Sequence, residues 1–406
     1  MSNGGLRHDH DGLVCDDFAD PVVELTHLLR QAAGIEHSVA LAYLYAAFSV
    51  KDRYISVRGS LGPDDYGLRR IGAHGSQALI APTDLLQAAT QEMQHLAYVN
   101  EFLRILGSPP QLASYGFPFA ADLFPFPMGL RALDRPAVAT YLWLEADDAK
   151  LATGTWRTPE SEPVAFVEDV RAEIAKIGGP SVDQDRVDHF GSVYGSIMEV
   201  AQRVTDAPPP WLDTDHEWHA WIDRMHLVLM QGEVSHYLMF RSLFTGAAFT
   251  DDHQPDPGIW ADPSNDRYPS IALASGTAWR ARPHTIQPEN ARRLAWLGNL
   301  HYWILLGMLD LSARSVDLKL RYAAVDQMTL ALWWIGLDLA HTHGVGMPFD
   351  QLAQSYAFGR DDKLGRRVLT QLVLEAKAQV AALGADGLLP ASYEASNIEL
   401  ALASLQ

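Results

Sequence analysis

Two short motifs far apart in the chain constrain it more than any other feature: Glu92-Met93-Gln94-His95 and Glu233-Val234-Ser235-His236. A glutamate and a histidine three residues apart lie on one face of a helix. Surface helices produce single pairs of this kind by chance, so the face each pair occupies decides its meaning. Leu85, Ala88, Ala89, Leu96, Val99 and Phe102 fall in step with Glu92 or His95. Leu229, Met230, Tyr237, Phe240 and Leu243 do the same for Glu233 and His236. Both pairs therefore point with apolar stripes into a core. An unpaired charge there costs several kcal/mol or neutralises itself. Two such pairs demand compensation, and two bound metal ions supply it. Helical bundles that hold metal pairs draw one Glu from each of two helices and a Glu-x-x-His from each of two others.

Single glutamates complete the set. Glu36 sits on a stripe with Leu29, Ala32, Ala33, Val39, Ala40 and Tyr43, and Glu145 with Val138, Tyr141 and Leu142. Glu199 lies on the far side of its helix from Ile197, so Glu145 is preferred as the sixth ligand. The expected metal ligands are Glu36, Glu92, His95, Glu145, Glu233 and His236, with Glu36, Glu92 and Glu233 as the catalytic carboxylates. Carboxylates with two imidazoles suit iron or manganese better than copper or zinc. Each residue by itself reads as a buried Glu–Arg pair or a capped histidine; only their joint placement favours metal. His226 reads as a core histidine or a support to the ligands, and His301, His341 and His343 as structural. Tyr43, Trp143, Tyr194 and Tyr237 read as core packing or as the lining of the site, and Asp147 and Asp148 as a solvated face. The chain has no P-loop, dinucleotide fingerprint or nucleophile elbow.

Helical periodicity recurs over residues 20–50, 82–106, 134–151, 164–177, 183–205, 213–244, 289–314, 317–344, 348–357 and 361–383. Segments 51–81, 111–133 and 246–289 read as long loops, and only 54–57 and 270–274 give weak strand signals. The organisation expected is a loose arm (1–19), a metal-binding bundle (20–246), a loop excursion (247–288) and a C-terminal helical region (289–406). The last should pack on the bundle, because Leu300, Trp303, Leu332 and Trp334 need cover. The fold class is all-α.

A net charge of −19, from 31 basic and 50 acidic residues, argues against nucleic acid and anionic membrane as partners. The longest apolar runs, 39–50 and 329–340, are about a dozen residues, too short to span a bilayer. Cys15 is the only cysteine, and no basic stretch leads into an apolar one at the N-terminus. A cytoplasmic protein acting on a small molecule, with a possible homo-oligomer, is expected.

Several segments resemble a known family. Glu36-His37 with Ala40-x-x-Tyr43-Leu44-Tyr45, Gln91-Glu92-Met93-Gln94-His95-Leu96 and Leu106-Gly107-Ser108-Pro109 are similar to the ferritin-like domain of iminophenyl-pyruvate dimer synthases. That family includes the chromopyrrolate-type synthases of violacein and rebeccamycin biosynthesis. Tyr141-Leu142-Trp143-Leu144-Glu145, Gly191-Ser192-Val193-Tyr194, Gln231-Gly232-Glu233 and Asn299-x-x-Tyr302-x-x-Leu305-Leu306 extend the resemblance over residues 20–345. It implies a ferritin-like four-helix bundle, here with additional C-terminal helices and long loop excursions. It also implies oxidative tailoring of amino-acid-derived metabolites. The chain departs from the pattern at Ser192, where an acidic residue is expected, and at Ala146, where proline is usual. The 51–81 loop is longer, and the long additional region of the large synthases does not occur in this sequence.

The leading expectation is a non-haem di-metal oxidase or oxygenase, with O2 or peroxide as co-substrate and Tyr115, Phe117, Phe119, Phe124 and Phe126 as a roof over a substrate. The alternatives are oxidative coupling of imino acids, iron oxidation and storage, and a scaffold that has lost its metal.

Overall fold

The computed structural model describes residues 18–60, 82–113, 124, 126–147, 149–152, 154, 157–178, 190–353, 355–359 and 361–406. Helix α1 (Pro21–Ser49) begins where Asp20 accepts hydrogen bonds from the amides of Val22 and Val23, with Pro21 in the first turn. At 1.5 Å per residue it is about 44 Å long. Every residue from Ala32 to Ser49 is buried, so the helix has no polar back. A helix apolar on all sides belongs at the centre of a protein. The apolar run 39–50 is explained in this way, and among the described residues no helix is long and apolar enough to cross a membrane.

The helices around α1 start at the caps the sequence marks. Asp84 caps α2 (Leu85–Ile105), and the Ser108 amide returns to the Leu103 carbonyl where α2 stops. Asp134 caps α3 (Arg135–Glu145), and α4 (Val164–Ala175) packs on it through Arg135, which is paired with Asp169 and Glu173. Helix α5 (Phe190–Asp206) turns Val193, Ile197, Val200, Ala201 and Val204 inward. Asp215 caps α6 (His216–Met230), which passes through a π-helical segment (Gln231–His236) into α7 (Tyr237–Phe244). Helix α1 packs on α2 and α5, α6 on α2 and α5, and α3 on α7.

The C-terminal helices cover the other side of α1. They are α8 (Glu289–Ser315), α9 (Leu318–Asp326), a second π-helical segment (Gln327–Leu332), α10 (Trp333–His343), α11 (Asp362–Ala385) and α12 (Ser396–Ser404). Helix α10 packs on α1, and α8 reaches both α2 and α11. A hydrogen bond of 2.8 Å joins Tyr302 Oη to His37 Nε2, and Arg321 of α9 pairs with Glu101 of α2 at 2.9 Å. Gly336 lets α10 lie against the Phe48 ring: a Cβ there would stand 2.3 Å from Phe48 Cζ.

Several expectations need correction. Helix α3 ends at Glu145 rather than at 151, because Ala146 is extended and Asp147 accepts from the Lys150 amide, a local bond that competes with the helix. The 213–244 and 317–344 helices are each interrupted by a π-helical segment. No helix forms among the described residues of 348–357. Phe349 has a positive φ of 47° and stacks on Phe48, while Asp350 accepts from the Ala278 amide and Asn299 Nδ2. Residues 54–57 form helical turns instead of a strand. Ser270 and Ala274 make only isolated bridges, to Val50 and Val345.

Candidate metal centre

Helix α1 brings Glu36, α2 brings Glu92 and His95, the last turn of α3 brings Glu145, and the π-helical segment brings His236 to one place in the core. Each of the five is no more than 3% exposed. Their donor atoms form two groups, Glu36/Glu92/His95 and Glu92/Glu145/His236, each with its atoms within 4.8 Å of one another. Glu92 is common to both. Its carboxylate lies 2.8 Å from His95 Nδ1 through one oxygen and 2.6 Å from His236 Nδ1 through the other. The outer carboxylates stand farther off, with Glu36 3.4 Å from His95 Nδ1 and Glu145 3.4 Å from His236 Nδ1. The two imidazoles lie nearly parallel, 6.0 Å apart.

Around this core Glu36, Glu145 and both histidines each have a further support. Tyr194 Oη donates to Glu36 Oε1, and Tyr43 Oη donates to Glu145 Oε1 at 2.6 Å. The Nε2 atoms of the histidines face amide oxygens, that of His95 lying 3.0 Å from Gln231 Oε1 and that of His236 2.9 Å from Gln91 Oε1. Gly232 makes room for Glu145, because a Cβ at that position would stand 2.7 Å from Glu145 Oε2.

The electrostatics follow from burial and the shared carboxylate. Burial and the neighbouring Glu92 push Glu36 up to about 8. Burial also disfavours ionised Glu92, yet His236 and His95 outweigh it and hold that carboxyl well below its usual range. Burial opposes the charge on both histidines, but Glu92 and Glu36 hold His95 well above its ordinary value, and Glu92 and Glu145 push His236 up to about 10. Burial raises Glu145 as well. Protons on the imidazoles thus balance the carboxylates.

A metal pair fits these residues. Glu36 Oε2 and Glu92 Oε1 are buried oxygens that accept no well-aligned hydrogen bond. The space beside them is about 10 Å³, the size of a water or an ion rather than an organic molecule. Three carboxylates and two imidazoles are ligands for iron or manganese.

Five of the six residues expected as ligands meet here. The sixth, Glu233, is only half-buried and lines the rim of the cavity, outside both donor groups. The π-helical segment shows why: both motifs space Glu and His by three, but the wider π turn takes Glu233 off the face that Glu92 shares with His95 in an α-helix. Glu199 is exposed. His226 is exposed too, neither core nor support. Trp143 lies beneath Arg171 and Tyr237 donates to Glu162, so both are packing or surface-linking residues. His301 is buried between Gln327 and Tyr393. Phe124 and Phe126 are buried, while Tyr115, Phe117 and Phe119 lie outside the described residues. Spacing arguments missed Gln91 and Gln231. The signal for them was a glutamine repeated one residue before Glu92 and two before Glu233.

Residues 29–210, which include Glu36, Glu92, His95 and Glu145, match a family model described as ferritin-like. A stretch of 193 residues is 28% identical to dichlorochromopyrrolate synthase from Lentzea aerocolonigenes. The aligned part is 45% of this chain and 17% of that synthase, so the chain spans only a minor part of the relative's length. No solved structure matches the chain.

Proposed function

We propose that this chain, whose residues 29–210 match a ferritin-like family model, is a two-metal oxidase or oxygenase acting on a small amino-acid-derived or aromatic molecule. One observation carries this: Glu92 is shared between two buried Glu/His groups. Glu36 and His95 would hold one ion and Glu145 and His236 the other, with Glu92 between them and Glu233 as the carboxylate at the rim. When bound, two iron or manganese ions supply redox chemistry with O2 or peroxide as co-substrate. The residues of the chain do the rest. Tyr194 occupies one oxygen of Glu36 and leaves the other facing the cavity. Leu144, Gly191 and Val228 line the cavity as buried residues, and Leu229 and Glu233 line it half-buried.

Elemental analysis of the protein purified after expression in iron- and manganese-containing medium should give two ions per chain, and Glu92→Ala should lose both. Less than one ion per chain in the wild type would overturn the proposal. A second enzymatic reading, oxidative coupling of two imino acids, is favoured by the similarity to a synthase. Product masses separate the two: one added oxygen on a candidate aromatic amino or imino acid supports oxygenation, and a doubled mass supports coupling. As a partner, a small molecule is proposed rather than nucleic acid or membrane, consistent with the net charge of −19; sedimentation at working concentration tests for a homo-oligomer.

A further inference from the structure

The two glutamines beside the imidazoles belong to the wrong motifs. Gln91 precedes Glu92 on α2, yet its side chain meets His236. Gln231 opens the π-helical segment, yet its side chain meets His95. The pairing is reciprocal even though the two motifs differ in length. Gln91 stands four residues before His95 and Gln231 five before His236. In an α-helix, residues four apart share a face, whereas a π turn closes over five. The π-helical segment, which contains Gly232, absorbs the extra residue. Gln231 and His236 thereby keep the relation that Gln91 and His95 have, so each glutamine can reach across to the opposite ring.

We infer that Gln91 and Gln231 are crossed positioning residues, each orienting the metal-binding imidazole of the other motif. The inference rests on the two-metal reading above. An amide oxygen only accepts hydrogen bonds, so the ring nitrogen facing it carries the hydrogen. That nitrogen is Nε2 in both histidines, and Nδ1, which faces Glu92 in both, is left to bind an ion. A partner on the remote nitrogen fixes both the tautomer and the ring plane of a metal-binding histidine. It follows that a lesion in one motif is felt at the ion held by the other. Loss of Gln91 loosens the position of His236 and Glu145, and loss of Gln231 loosens that of His95 and Glu36.

Manganese(II) is the probe. Wild type, Gln91→Ala, Gln231→Ala and the conservative Gln91→Glu, which keeps an acceptor, are titrated calorimetrically, and crystals grown with manganese give the occupancy of each position by anomalous scattering. Gln91→Ala should weaken one of two binding events by about 10- to 100-fold and empty the position beside His236, while leaving that beside His95 filled. Gln231→Ala should do the reverse, and Gln91→Glu should restore both. Equal loss at both positions without rescue, loss beside the histidine of the same motif, or no loss would each overturn the crossed assignment. Should the wild type bind no manganese pair, the two-metal reading fails, and the crossing is judged by imidazole ¹⁵N shifts. Gln91→Ala must then perturb the His236 ring and spare that of His95; a perturbed His95 ring would overturn the crossing too.

Discussion

Two kinds of buried histidine occur in this chain, and their neighbours drive them in opposite directions. His236, among carboxylates, is pushed up to about 10, whereas burial of His301 among the neutral groups Gln327 and Tyr393 lowers it to about 4. For His301 the native state stays neutral while the unfolded chain takes up a proton below about 6.5. Its contribution to stability is therefore complete above pH 6.5 and is lost as the pH falls from 6.5 to 4, by up to about 3 kcal/mol. Urea unfolding followed between pH 7 and 4.5 should show this slope, and His301→Gln should flatten it; an unchanged slope in the variant would assign the loss to other groups. The same scale shows what a sequence discloses. Glu36, Glu92, His95, Glu145 and His236 were legible because a charged residue inside an apolar stripe is conspicuous. Gln91 and Gln231 were not, because a neutral amide near a stripe edge reads as ordinary surface. Glu233 is half-buried at the rim rather than in the core, because a spacing of three implies a shared face only when the helix is α throughout.

At the scale of elements, periodicity located the long helices, and Asp20, Asp84 and Asp134 marked their starts. It failed where side chains rather than backbone pattern decide the path, as at Asp147 after α3 and Asp350 before α11. One contact between elements is open to direct test. Alanine in place of a helical glycine usually stabilises by up to about 1 kcal/mol, but overpacking a core costs about 1–3 kcal/mol. With Phe48 ring atoms 2.3–2.5 Å from the new Cβ, the second effect should win, so Gly336→Ala should be less stable by about 1–2 kcal/mol. In a Phe48→Leu background the same alanine should be neutral or stabilising. A loss of equal size in both backgrounds would show that the ring is not the obstacle.

At the scale of the whole molecule, α1 needs every layer around it. Its C-terminal half is buried completely, in part beneath α10, with Phe48 against Trp333 and His37 tied to Tyr302. A chain ending at residue 288 would expose that side of α1, and the apolar surface left bare would be far larger than soluble monomers carry. Such a chain should bind a hydrophobic dye and lack a cooperative thermal transition. A sharp transition would make residues 20–246 self-sufficient and the later helices an addition. That Leu300, Trp303 and Leu332 are buried was legible in the sequence, whereas Trp334, expected to need cover like them, is only half-buried; where they pack was not legible, because periodicity gives a helix its inner face but not its neighbour.

Gly232 also sets a phase. Deleting it would leave Gln-Glu-x-x-His, the same spacing as on α2, and would let α6 and α7 join as one regular helix. The regular helix would turn one half against the other by about 100°. Phe240 and Leu243 would swing from the core, or else Trp218 and Met225 would. The irregular turn is thus what allows a single rod to serve two unlike interiors, one for the apolar packing of α6 and one for the ring of His236.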